Sequence, residues 1–111
     1  MPYTIENILE VKNVSFVSQL QSEFSVHVGD LPNRVKIKIW RIIGSPRFYF
    51  TQSHYIKTPV QVSAYRTTST MADNEPEALH LAVGTLINFY NDAVGKGKIP
   101  DESWLERNED F

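Results

Sequence analysis

Two short segments carry residue types that can hold an anion. Ser53-His54-Tyr55-Ile56-Lys57-Thr58-Pro59 ends an extended run in a polar, cationic turn. Lys57 offers a point charge with three donors and Thr58 adds a hydroxyl. Pro59 fixes its own φ and biases Thr58 toward extended backbone. Such a turn suits a phosphate, and it is equally an ordinary strand exit. The second segment pairs Phe89-Tyr90-Asn91-Asp92 with Ser103-Trp104-Leu105-Glu106-Arg107-Asn108. Tyr90 and Trp104 have flat faces on which a base can stack, Asn91 and Asn108 can read a base edge, and Arg107 can grip a phosphate in a two-pronged fork. The plain alternative is that Tyr90 and Trp104 close a core or an interface, as such residues commonly do.

Most other chemistries lack their residues. The chain has no cysteine, so it has no disulfide framework, thiolate metal site or cysteine nucleophile. No Gly-rich phosphate loop, HExxH or GxSxG occurs, and His27, His54 and His80 fall on three different predicted elements. No serine or threonine sits in a recognisable nucleophile context. A non-enzymatic protein without metal or cofactor is expected.

The charges are distributed unevenly. Residues 1–72 carry eight Lys/Arg against four Asp/Glu, whereas residues 73–111 carry nine acids against three bases, so a net −2 divides into +4 and −6. Residues 32–72 contain no acid at all, yet hold Arg34, Lys36, Lys38, Arg41, Arg47, Lys57 and Arg66. A one-signed segment attracts anions. Two readings stand: the basic sheet pairs with the acidic helix, within the chain or across an oligomer, or it binds an anionic ligand. The negative total disfavours extended nucleic acid as the partner.

The elements that must position these residues follow from periodicity. Phe24, Val26 and Val28 alternate with polar residues, as do Val35, Ile37 and Ile39, and the two runs flank Gly29-Asp30-Leu31-Pro32-Asn33. This predicts an antiparallel hairpin with one buried and one wet face. Arg47–Ile56, with aromatics on both alternating sets, predicts a central strand. Val60–Tyr65 predicts a further short strand, and Ile5–Phe16 one or two more. The period then changes. Asp73 or Asn74 can cap a helix with Pro76 in its first turn and Gly95 and Gly97 at its end, and the apolar residues between give a helix over 75–95. Leu79, Val83, Leu86, Tyr90 and Ala93 form one stripe, widened by Ala78, Ala82, Ile87, Phe89 and Val94. So wide an apolar surface calls for cover beyond one sheet face, such as another subunit. Pro100-Asp101-Glu102 predicts the start of a short second helix carrying Trp104 and Leu105. The fold class is therefore α+β, with an N-terminal antiparallel β-sheet of about five strands followed by one long and one short C-terminal helix. One domain over residues 1–111 fits the length, with a sheet part (1–72) and a helical part (73–111). No run approaches the ~20 apolar residues of a membrane span and no signal-peptide pattern is present, which predicts a cytoplasmic protein.

Three patterns resemble small proteins of phages and prophages: Ser53-His54-x-Ile56-Lys57-Thr58-Pro59-x-Gln61, the helix start Met71-Ala72-Asp73 with its Glu-rich first turn, and Pro100-Asp101-x-Ser103-Trp104-Leu105-x-x-Asn108-x-Asp110-Phe111. Over residues 47–111 the layout is similar to the first family of Thoeris anti-defence proteins. That resemblance implies a sheet followed by two helices, a homo-oligomer, and sequestration of cyclic ADP-ribose-type or cyclic oligonucleotide signals without cleavage. It places ligand contacts near Asn91, Leu105 and Asn108 and on basic residues of the sheet. One departure stands out. The family's arginine close to the C-terminus is matched here only by Arg107, flanked by Glu106 and Glu109, so a diphosphate site depends on where Arg107 points. A cyclic oligonucleotide site lined by Arg34, Arg41, Lys57 or Arg66 does not depend on it. The competing expectation is a protein-directed inhibitor, of anti-CRISPR or anti-restriction type, acting through the acidic C-terminal region.

Overall fold

The computed structural model describes residues 2–67 and 69–111 and has the expected α+β architecture. Its elements in order are α1 (Ile5–Leu9), β1 (Ser18–His27), β2 (Arg34–Ile42), β3 (Phe48–Gln52), β4 (His54–Ile56), β5 (Met71–Ala72), α2 (Glu75–Gly95) and β6 (Leu105–Arg107). Four strands form an antiparallel sheet in the order β1-β2-β3-β5, and β4 pairs with β6 in a separate two-stranded ladder.

The hairpin follows from alternation. Val35, Ile37 and Ile39 are wholly buried on one face of β2, and Arg34, Lys36 and Lys38 necessarily project from the other. Helix α2 covers the apolar face through Ala78, Ala82, Leu86 and Ala93, all buried. Three of these four residues are alanines, which lets the helix backbone sit close to the sheet. Asn74 caps α2, its side chain accepting from the Glu77 N–H at 2.8 Å, while Glu75 and Glu77 face the positive end of the dipole. At the other end Gly97 takes φ +81°, and the Lys98 and Gly97 N–H groups donate to Ala93 O and Val94 O. This is the Schellman termination that the glycine was expected to supply.

Four expectations are corrected. Arg47–Ile56 is two strands rather than one, because the chain turns away at Ser53. Val60–Tyr65 is no strand: the Gln61 side chain accepts from the Thr58 N–H at 2.8 Å and donates to Ile56 O at 3.1 Å, replacing a strand partner with a local turn. Ile5–Phe16 forms α1 and turns, with Thr4 accepting from Asn7 N–H. The short second helix is a single 3-10 turn, Glu102–Trp104, and Leu105 then starts β6. The extra cover sought for α2 comes from the same chain, since Val60 packs on the core and Tyr65 lies on Phe89 with ring centroids 4.9 Å apart. Among the described residues, no helix is long and apolar enough to cross a membrane.

Candidate anion-binding site

The outer face of β2 is the basic one. Along a strand, same-face neighbours sit about 7 Å apart, so Arg34, Lys36 and Lys38 form a regular row. On β1, His27, Ser25 and Glu23 lie opposite them in register. Helix α2 occupies the other face, so its acids do not reach this row; the basic and acidic parts of the chain meet instead at Arg47 and Asp73, 4.0 Å apart. Among the described residues the row's one ion pair is Lys38 with Glu23 at 4.0 Å. Such an exposed pair contributes little.

A second group of residues is brought to this row by the break in β3–β4. Ser53 N–H donates to Lys36 O at 2.9 Å, and Ser53 Oγ accepts from the Lys36 N–H at 2.8 Å, fixing the chain on the edge of β2 as it turns. His54 then pairs with Arg107 across the β4–β6 ladder. Asn108 clamps the tail: its backbone N–H donates to Ser53 O at 2.8 Å and its Nδ2 to Gln52 O at 2.9 Å. The result is an open groove of about 410 Å³ lined by Arg34, Lys36, Ser53, His54, Arg107, Asn108, Glu109 and Phe111. The Phe111 ring lies 4.5 Å from Lys38 Nζ at its end. Its volume falls in the range of small-molecule sites.

The electrostatics agree with the geometry. Neither Arg34, Lys36 nor Arg107 has a carboxylate within ion-pair distance among the described residues. Burial lowers the pKa of His54 from its ordinary value, and the nearby Arg107 charge lowers it further. His54 Nδ1 lies 2.8 Å from Ser53 Oγ. Four basic side chains, Arg34, Lys36, His54 and Arg107, thus line one cleft together with the acid Glu109.

The structure scatters the sequence-predicted residues over several places. Arg34, Arg107 and Asn108 meet in the groove, although Asn108 spends its amide on the backbone rather than on a base. Arg41 is seven residues along β2 from Arg34, about 24 Å away, where it accepts no role in the groove and contacts Gln19 at 3.4 Å. Arg66 lies over the Tyr55 ring at 4.7 Å and borders a different cleft of about 270 Å³. Lys57 and Thr58 sit in the turn behind β4, and Thr58 is buried, so its hydroxyl cannot greet a phosphate from solvent.

The aromatic stacking site is a correction. Trp104 is 4% exposed and meets Tyr90 edge-on at 5.8 Å, and Leu105 joins the same core, so neither offers an open face. The core needs that large pair to plug the end of the helix–sheet sandwich. Asn91 is exposed on α2, away from the groove's lining. Lys36, Lys38, His54 and Phe111 were not selected from sequence as contacts. The signal for the two lysines was present, because period-two alternation puts them on the face of Arg34.

Known proteins add nothing to this picture. The chain matches no protein-family model, no curated protein and no solved structure. Among the described residues there is also no cluster of three His, Asp or Glu side chains suited to a metal ion.

Proposed function

We propose that the protein binds a small phosphate-bearing ligand of the cyclic-nucleotide class in the β2–β6 groove and holds it without cleaving it. The observation that carries this reading is the convergence of Arg34, Lys36 and Arg107, none paired with a carboxylate, around the His54 imidazole. Two guanidinium forks and an ammonium match the several oxygens of a phosphate or diphosphate better than a single carboxylate would. Arg107 lines the groove despite its acidic neighbours, which supports the diphosphate-binding variant of the resemblance.

Holding is favoured over cleavage by the hydrogen bonds of Ser53. Its hydroxyl oxygen is engaged by the Lys36 amide and by His54, where it secures the strand exit. Acting in the cytoplasm, such a binder would remove a nucleotide signal from circulation.

A thermal-shift series with cyclic ADP-ribose, cyclic dinucleotides and inorganic phosphate tests the proposal. A ligand at 100 times its Kd should stabilise the fold by about 2.7 kcal/mol, and mass spectrometry should recover it intact. No stabilisation by any phosphate compound, or equal stabilisation of Arg34→Ala and Arg107→Ala proteins, would refute it. Conversion of the ligand would replace binding with catalysis.

A further inference from the structure

Strand β1 has one unpaired side, and the segment before it buries little of its apolar surface. β1 is ten residues long and lies at the edge of the sheet, pairing with β2 on one side. Edge strands of this length are commonly protected by lysine, proline or a covering segment. β1 reads Ser-Gln-Leu-Gln-Ser-Glu-Phe-Ser-Val-His, with Glu23 as its single acid and neither lysine nor proline.

The preceding arm is apolar and largely uncovered, with its Phe16 ring 6.1 Å from that of Tyr49. Tyr3, Ile5, Ile8, Val11, Val14 and Phe16 are exposed by 46% at Val14 to 88% at Tyr3, and α1 buries no residue. A five-residue helix is far below the ~12–15 residues at which an isolated helix becomes even marginal in water. The molecule is elongated: its radius of gyration is 17.2 Å and its longest extent 64 Å, against a radius of about 13 Å for a compact chain of this length. With Leu20 and Phe24 on β1, these side chains expose on the order of 750 Å², close to the ~800 Å² that a standard interface takes from each partner.

We infer that a second copy of this chain pairs antiparallel along β1 about a twofold axis, with each arm lying on the other copy. Register follows from charge and face. Placing Glu23 opposite itself would set like charges together. Putting Phe24 on the axis instead sets Glu23 against the partner's Ser25 and brings the two exposed Phe24 rings together. Residue 18 of one copy then lies across from residue 30 of the other, which brings the arm onto the other copy's Gly29–Asn33 turn. A membrane is the poorer match, because the arm offers Lys12 against Glu6 and Glu10 rather than a basic face. A twofold axis normal to the sheet leaves both helices on one side and both basic rows on the other, giving one eight-stranded sheet with a continuous cationic face.

Sedimentation equilibrium of the full chain tests this. The expected mass is twice 12.7 kDa. Phe24→Lys should weaken self-association at least tenfold, and so should Ile5→Glu combined with Ile8→Glu, which touches no core residue and guards against a folding defect in the first variant. Since the chain has no cysteine, Phe24→Cys should yield a covalent dimer on mild oxidation. A monomer at 100 times the concentration used for ligand binding overturns the inference, whether or not it floats with anionic vesicles. A dimer that survives both charge variants and fails to cross-link through position 24 also overturns it.

Discussion

The two faces of β2 differ in almost every respect although they share a backbone. Val35, Ile37 and Ile39 have no exposed surface, whereas Arg34, Lys36 and Lys38, interleaved with them, look out on an open groove or its rim. One strand therefore does two jobs, and the period of two keeps them separate. Packing on the inner face holds the outer face rigid, so three cations are kept in one row with Glu23 as their one paired acid among the described residues. Mutations on the two faces should separate stability from binding.

The largest effect is expected on the inner face. Ile37→Ala removes a fully buried side chain beneath α2 and should cost about 2–5 kcal/mol in a denaturant titration. Lys36→Ala, its neighbour on the exposed face, should stay within about 0.5 kcal/mol. Comparable losses from both would mean that the faces are not energetically distinct.

Next comes the reverse test, on the outer face. Arg107→Ala should leave the melting temperature of the free protein unchanged and weaken phosphate-ligand binding by about 1.5–3 kcal/mol, the value of a hydrogen bond to a charged group. Arg41→Ala, about 24 Å along β2 from Arg34, should leave affinity unchanged. If the two substitutions weakened binding equally, diffuse charge rather than the groove would be responsible.

The legible features of this chain are those set by neighbours in sequence. The Asn74 cap, the glycine termination and the apolar stripe are all local, and they marked α2 at its observed ends. Alternation likewise marked the hairpin. What escaped were features decided at long range. Nothing near Ser53 announces that its N–H and hydroxyl will bind Lys36, seventeen residues earlier, and end β3 there. Trp104 and Leu105 look helical by spacing, yet pairing of Leu105 with Ile56 draws the chain into β6. Arg107 reaches the groove only because of that pairing. The site was visible as a charge imbalance before its members could be named.

A smaller effect is expected at the turn that joins β1 to β2. Gly29 has φ +53°, and a Cβ there would run into the Tyr90 ring. Gly29→Ala should therefore cost about 1–2 kcal/mol for the left-handed backbone alone, with more from displaced Tyr90. Tyr90→Ala would relieve the clash but open the core beside Trp104. A double-mutant cycle should show the two substitutions coupled; additivity would mean that the ring moves aside freely.

The smallest expected effect reports most directly on the outer face. In the free protein, burial and then Arg107 hold the pKa of His54 below its ordinary 6.5. The unfolded chain consequently takes up this proton first as pH falls. His54 contributes its full stability above about pH 6.5 and loses it as pH drops through the folded pKa. Arg107→Ala should raise the titration midpoint of His54, seen by NMR, leaving the burial effect alone. A phosphate bound between Arg107 and His54 should also raise it, by stabilising the imidazolium, so ligand affinity should increase as pH falls through the midpoint. A midpoint unmoved by both ligand and Arg107→Ala would show that the cleft lacks the positive potential on which the outer face's role depends.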